Sequence, residues 1–334
     1  YGPPTVAFLD LPQLRESLHA HQPLAAVYTV PWPGRVAVWS SPGEDGFELV
    51  TTLGRPARMG ILAADLYPGP TSRFDHGNAA VVDLTCGSLT SVTDLALLGG
   101  ANALAVETYD GVWEVLQFGT AELIAPERYR LSRLLRGQRG TEGAMGTPAQ
   151  AGARVVMLDE SLAPLPGTEA ALGLEANWRV GPASKPVSDG SYQALSFTPE
   201  GVGLRPFSVV HVAQPWRTPR VPGDLTIRWT RRSRALAADS WKTAEVPLAE
   251  GERGPGPQWG RESPANEAYE VEILDDATVK RTLSASATSV TYTAAQQIAD
   301  WGTSLGSGDS LAIRIFQLSA LVGRGASKTV TLTF

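Results

Sequence analysis

The chain has 334 residues and a formal net charge of −6. A protein that grips nucleic acid across a broad face is normally basic, so sequence-independent DNA binding as the main task is excluded, while a local arginine patch is not. At about 150 residues per domain the length suggests two domains, and 34 glycines with 25 prolines point to many turns and short elements, hence a mainly β fold.

Asp10 is placed to cap a short helix over residues 11–20, with Pro12 in its first turn. The run LAAVYTV at 24–30 is a strand candidate stopped by Pro31-Trp32-Pro33-Gly34. Residues 35–40 (RVAVWS) alternate strictly, the mark of a half-buried strand. Further strands are expected at 47–53, 80–84, 103–108, 113–119 and 154–158. Asp110-Gly111 lies between the fifth and sixth of these and signals a tight hairpin, because both positions tolerate positive φ. Residues 121–136 contain a second helix or, over 130–136, a strand; neither period fits cleanly. Residues 159–205 hold six or so scattered prolines and little periodicity, so irregular extended chain is expected there. The first domain is thus read as 1–205, a β-rich, irregular unit.

From 206 the pattern changes. Strands are expected at 207–213, 224–232, 269–274, 279–283, 289–292, 311–318 and 329–334, with a turn at Asp275-Asp276 and a long polar insertion at 233–266. About seven short alternating strands with an inward Trp229 suggest an immunoglobulin-like sandwich. The unit resembles a fibronectin type III domain: Trp229 stands on the second strand, Tyr269 on the third, and Val322-Gly323-Arg324-Gly325 turns into the last. The insertion departs from that pattern, as does Phe316 where the sixth strand normally carries tyrosine.

Sites for chemistry are scarce. Cys86 is the single cysteine, so no internal disulfide forms, which fits folding in a reducing cytoplasm, and thiolate metal clusters are excluded. Gly302-Thr303-Ser304-Leu305-Gly306 matches G-x-S-x-G, but a nucleophile elbow needs a helix after it and a histidine downstream, and no histidine follows His211. His19 and His21 read as surface groups, since a metal needs three or four convergent ligands. His76 sits in a turn-rich loop without a partner. Glu267, Glu270, Glu272, Asp275 and Asp276 form an acidic cluster; paired carboxylates serve glycoside hydrolysis, but on a sandwich strand they read as the solvated face. No catalytic, cofactor or metal site is expected, and the chain is not expected to be an enzyme. Trp32, Trp216, Trp241, Trp259 and Trp301 are read as exposed rings, of which Trp241 and Trp259 are candidate glycan contacts. No apolar run approaches the 18 or so residues that span a bilayer. The chain opens at Tyr1 with no basic-then-apolar leader, and is expected to be a piece of a longer polypeptide that includes its C-terminus.

The most specific stretch is LSRLLRGQRGTE at 131–142, where Arg130, Arg133, Arg136 and Arg139 crowd an apolar segment ending in two glycines. Arginine is enriched at interfaces, so these four are candidate inter-subunit contacts; a phosphate or lipid headgroup is the other reading. The stretch resembles a signature of the large tail-tip protein of gene transfer agents and tailed phages, a host-specificity-like baseplate component. Further matches in order are Pro31-Trp32-Pro33-Gly34, the run from Asp110 to Phe118, Arg231-Arg232-Ser233-Arg234 with Trp241, Tyr292-Thr293-Ala294 with Asp300, and Gln317-Leu318-Ser319 before the glycine-rich turn. The resemblance implies the C-terminal segment of such a protein, with a tail-hub-like first domain, in a homotrimer that closes the tail tube beneath other baseplate and hub proteins. DNA would pass through without specific binding, and the β-domains would face the cell. It further implies a particle assembled in the bacterial cytoplasm and released from the cell. The alternative expectation is a glycan-binding module for host recognition.

Overall fold

The structure, a computed structural model, describes residues 1–14, 18–109, 111–213, 220–232 and 267–334. The fold is mainly β. The chain divides into two units, Tyr1–Gly203 and Leu204–Phe334.

The first unit runs β1 (Thr5–Leu9), β2 (Leu24–Tyr28), β3 (Val36–Ser41), β4 (Glu48–Leu53), β5 (Met59–Leu62), β6 (Ala80–Leu84), α1 (Asp94–Leu98), β7 (Ala103–Tyr109), β8 (Val112–Ala125), β9 (Arg128–Leu135), β10 (Arg154–Met157), β11 (Ala163–Pro164), β12 (Ala176–Pro182) and β13 (Gln193–Phe197). Six of these close an antiparallel barrel in the order β10-β5-β6-β9-β8-β7. Alternation decides what enters it. Leu104 and Val106 of β7, Leu116 and Phe118 of β8, and Val155 and Met157 of β10 fill the interior. Their neighbours Ala105, Val115 and Val156 point out into a second core. Both faces of these strands are therefore buried, which is why their sequences read as near-continuous apolar runs.

The second core lies between the barrel and the sheet β1-β2-β11. Ala7, Leu9, Leu24 and Ala26 face the barrel. Phe8, Ala25 and Val27 face the opposite way, onto Val36, Val38, Trp178 and Val180 of the four-stranded sheet β13-β12-β3-β4. Small residues at Ala7, Ala25 and Ala26 let the middle sheet be sandwiched from both sides. A one-residue slip of β1 against β2 would exchange these two faces, so burial on both sides fixes the register Thr5↔Tyr28 through Leu9↔Leu24.

Three expectations for this unit change. Residues 11–14 and 18–20 are not helical, and residues 15–17 lie outside the described part. Asp10 does not cap a helix; its carboxylate accepts from the amides of Glu200 (2.6 Å) and Val202 (3.0 Å), tying the end of the unit to its beginning. Residues 121–136 form no helix, because Arg128–Leu135 pairs as a strand with both β6 and β8 and sends Tyr129, Leu131 and Leu134 into the barrel interior. Residues 159–205 hold three strands: the prolines fall at or beyond the ends of β12 and β13, where they remove no ladder hydrogen bond.

The second unit runs β14 (Val210–Ala213), β15 (Leu225–Thr230), β16 (Tyr269–Asp275), β17 (Thr278–Ala285), β18 (Ser289–Tyr292), α2 (Ala294–Trp301), β19 (Ser310–Ser319), β20 (Gly323–Arg324) and β21 (Lys328–Thr333). The sheet β14-β15-β18 faces a sheet in which β16 lies between β17 and β19, and β19 also pairs β21. This is the strand arrangement of a fibronectin type III-like sandwich. Trp229 packs edge-on against Tyr269, ring centroids 5.1 Å apart, within a core that includes Ile227, Val271, Ile273, Tyr292, Ile313 and Ile315. Phe316 does not enter that core; it lies on the outer face beneath Arg314 and Arg324.

Helix α2 was not foreseen, although Thr293 and Gln296 form a capping box that is legible in the sequence. The residues 233–266, with Trp241 and Trp259, and residues 214–219, with Trp216, lie outside the described part. No helix among the described residues is long and apolar enough to cross a membrane.

Candidate functional site

The arginine stretch is built on β9 and the turn that follows it, and the structure sends its arginines to different places. Arg136 shares the inward parity of Leu134 and enters the barrel end, its side chain 1% exposed. There it meets Glu114, which shares the parity of Leu116 and Phe118 on β8. The pair is bidentate, Nε to Oε1 at 2.7 Å and Nη2 to Oε2 at 2.8 Å. Nη1 donates to the Tyr67 carbonyl at 2.9 Å and reaches Asp75 Oδ2 at 3.4 Å. Asp75 also accepts from the amides of Gly77 and Asn78 and from Asn78 Nδ2. Its backbone pairs with Leu134. The loop between β5 and β6 is thus pinned across the barrel end by one buried guanidinium and two buried carboxylates. A Cβ at Gly69 would sit 2.2 Å from Asp75 Oδ2, so this loop position admits only glycine while the clamp is closed.

Burial disfavours the charged form of Asp75, but the Asn78 side chain, the Asn78 and Gly77 amides and Arg136 outweigh it, and its pKa lies below the ordinary carboxylate value. The sign follows: a depressed folded pKa contributes stability above the unfolded value of about 3.9 and loses it as pH falls through the folded value. Asp75→Asn should therefore flatten the acid limb of a plot of urea midpoint against pH. An unchanged slope below pH 4 or so would refute the assignment.

The end of the stretch completes the same device. Gly137 turns at φ +57, and a Cβ there would approach Glu142 Cα to 2.8 Å. Its amide donates to Glu114 Oε1 at 3.0 Å. Thr141 Oγ1 accepts from the Val115 amide at 2.9 Å and donates to the Gln138 carbonyl at 2.7 Å. Leu131, Leu134, Arg136, Gly137 and Thr141 are accordingly accounted for by closure of the barrel. Arg136 is withdrawn from the candidate interface, since a guanidinium held inside by two carboxylates reaches no neighbouring subunit.

The remaining arginines face outward. Arg133, at φ +54, pairs with Asp94 at the start of α1 and stacks over Phe74. Arg139 is exposed and reaches the Leu14 carbonyl at 3.4 Å. Arg130 is exposed opposite Glu122 of β8. Beside them the surface is unexpectedly apolar. Leu95 and Leu98 of α1 are 84% and 68% exposed, while Leu97 between them is buried. The residues before α1 bind the outer edge of β8: the Val92 amide donates to the Gly119 carbonyl, and Ser91 Oγ receives the Ala121 amide. Past this point β8 runs on to Leu123 and Ile124, 61% and 47% exposed. The strand β7 has ended its pairing by Gln117, so among the described residues the outer edge of β8 beyond Ala121 carries no strand. An open edge with exposed Leu and Ile is a ready contact for another chain.

Other singled-out groups resolve as follows. Glu270 and Glu272 are both held by Arg324, and Glu272 also by Arg314, so the acidic cluster is an interleaved ion-pair lattice on the outer face of the sandwich. Glu267 accepts from the Tyr269 hydroxyl. Ser304 follows α2 and precedes β19, the reverse of a nucleophile elbow; its hydroxyl accepts from the Gly223 amide and donates to Gln297. Asp300 receives Arg281 at 2.6 and 2.7 Å and the Tyr292 hydroxyl at 2.7 Å, which fixes α2 on the sandwich. His19 and His21 stack at 5.5 Å, and His21 contacts the Gly167 carbonyl. Among the described residues no group of three or more His, Cys, Asp or Glu converges to hold a metal. Trp32 and Trp301 are half-buried against the cores of their own units, and so are not exposed platforms.

Asp75, Glu114, Leu95 and Leu98 escaped the sequence reading. A lone Glu114 inside VWEVLQF was a usable signal, because a charge at an inward strand position demands a partner. The leucines of α1 gave none: a five-residue helix is too short for a face to be assigned.

The class defined by this architecture is a β-barrel unit joined to a fibronectin type III-like sandwich. A family model described as "Rcc01698-like, C-terminal" matches residues 57–156, a span that holds the six barrel strands but for the last residue of β10, together with the Arg136 clamp and the exposed leucines. No curated protein matches the chain by sequence. A solved chain from a cytokine receptor complex, crystal form 1A, matches over 98% of this chain and 96% of that one, at 8% identity and a TM-score of 0.26. So low a score carries no argument about fold or function.

Proposed function

We propose that this chain is a structural component of the tail tip or baseplate of a phage-like DNA-transfer particle, the C-terminal segment of its large tail-tip protein. It forms a homotrimer, packs against other baseplate and hub proteins, and helps to close the tail tube and engage the cell envelope. The observation that carries this reading is the unabsorbed apolar surface of Leu95, Leu98, Leu123 and Ile124 beside the open edge of β8. It lies wholly within the family-matched span 57–156, where the sequence resemblance to gene transfer agent tail tips is also most specific. The net charge of −6 suits a conduit wall, since an acidic chain repels the phosphate backbone and lets DNA pass without adhering.

The test is the oligomeric state of the isolated chain and its place in the purified particle. Light scattering should give three copies, and cryo-electron microscopy with three-fold averaging should place the barrel at the tube axis. The double variant Leu95→Asp, Leu98→Asp should abolish the trimer while leaving the circular dichroism spectrum unchanged, because both side chains are solvent-exposed in the single chain. A monomeric parent chain, or a variant that assembles normally, would refute the proposed contact.

A further inference from the structure

A groove of about 860 Å³ opens on the first unit, and neither Arg136, Glu114 nor Asp75 lines it. Three segments form it: the end of β7 with Glu107, Thr108 and Tyr109; the approach to β10 with Thr147, Gln150 and Arg154; and Asp65 after β5. The segments are locked together. Arg154 pairs with Glu107, Nε to Oε2 at 2.6 Å, and the Ala151 amide donates to Asp65 Oδ1 at 2.9 Å. Arg154 also stacks over the buried Trp113 ring at 5.4 Å. The walls are therefore preformed.

What those walls offer is specific. Tyr109 stands at the rim, 55% exposed. The Tyr109 hydroxyl, the Gln150 amide and the Thr147 hydroxyl have no internal partner among the described residues, and Asp65 keeps Oδ2 unengaged. These are donors, acceptors and one carboxylate, arranged beside one aromatic ring. The lining mixes both kinds of surface: Pro148, Ala151, Ala153 and the Tyr109 ring contribute apolar area between these polar groups. Such a mixture suits an amphipathic ligand better than a purely apolar one. Asp65 leaves the groove with an uncompensated negative charge, since Glu107 is already neutralised by Arg154, and an anionic ligand would be repelled.

We propose that this groove binds an uncharged oligosaccharide. Vicinal hydroxyls both donate and accept, which matches a carboxylate oxygen facing an amide and a hydroxyl. The C–H face of a pyranose ring is apolar and packs on an aromatic ring such as that of Tyr109. Asp65 Oδ2 takes a sugar hydroxyl in a charge-assisted hydrogen bond, Gln150 spans a second hydroxyl, and Tyr109 covers the ring. The site is independent of the trimeric reading: a monomer carries the whole groove.

The full chain is applied to an array of neutral and anionic bacterial polysaccharides, followed by saturation-transfer NMR with chitotetraose and maltotetraose. Binding to neutral glycans is expected, with saturation concentrated on one face of a sugar ring. Tyr109→Ala and Gln150→Ala, both at exposed positions, should each weaken it at least tenfold, and Tyr67→Ala, an exposed tyrosine outside the groove lining, should leave it unchanged. No binder on the array, a preference for anionic glycans, or binding that survives Tyr109→Ala and Gln150→Ala would each overturn the proposal. Failure here leaves the oligomeric state untouched, so it is distinguishable from failure of the assembly reading.

Discussion

Arg136→Met is expected to destabilise the first unit by about 3–5 kcal/mol, the range for removing one partner of a buried ion pair. Methionine fills most of the same volume, so the loss comes from electrostatics and not from a cavity. Glu114 and Asp75, with side chains 1% and 2% exposed, would be left in the barrel end without a guanidinium. Arg136→Lys should recover only part of the loss, because an ammonium cannot reproduce the planar two-point contact with Glu114. Amide exchange, read separately on the β5–β6 loop and the barrel strands, is the direct measurement. A loss below about 1 kcal/mol, within the range of a surface pair, would show that the clamp does not hold the barrel closed.

Trp229→Ala should cost the sandwich about 3–5 kcal/mol, as large-to-small changes of aromatic residues in a packed core do. Trp229 is 5% exposed and bridges the two sheets, coming from β15 and meeting Tyr269 of β16 edge-on. Alanine would leave a void that the paired strands on both sides cannot collapse into. Trp229→Phe keeps a ring against Tyr269 and should fall well short of that loss. Amide exchange in β15, β16 and β19 reports the effect on this unit alone. Protection unchanged by the alanine variant would mean that the two sheets are held together without the tryptophan.

Much of the strand inventory was legible because alternation is a local property. Residues 80–84 and 289–292 were placed to the residue, and the ends of most others moved by one to three positions. The sandwich was legible for the same reason: Leu225, Ile227 and Trp229 point one way whatever lies opposite. The strands missed are β1, β5, β11, β12, β13 and β20; β11 and β20 have two residues each, and β12 ends in Gly181-Pro182, where glycine and proline mask the strand signal. Helix α2 was missed although its capping box stood in the sequence, because a capping box needs a following apolar period and eight residues supply barely two turns.

The candidate site was less legible. The sequence marked LSRLLRGQRGTE as unusual, but the reason lay elsewhere in the chain. By itself it determined which residues alternate inward and that two β units follow one another. Only the tertiary structure decided that Arg136 is internal while Arg130 and Arg139 are not, since its partners stand 22 and 61 positions away. Strand periodicity gives the parity of a side chain, but a buried charge is tolerated only where a counter-charge arrives from another segment; the pairing of β8 with β9 brings Glu114 to it, and the bridge of the β5–β6 loop to Leu134 brings Asp75.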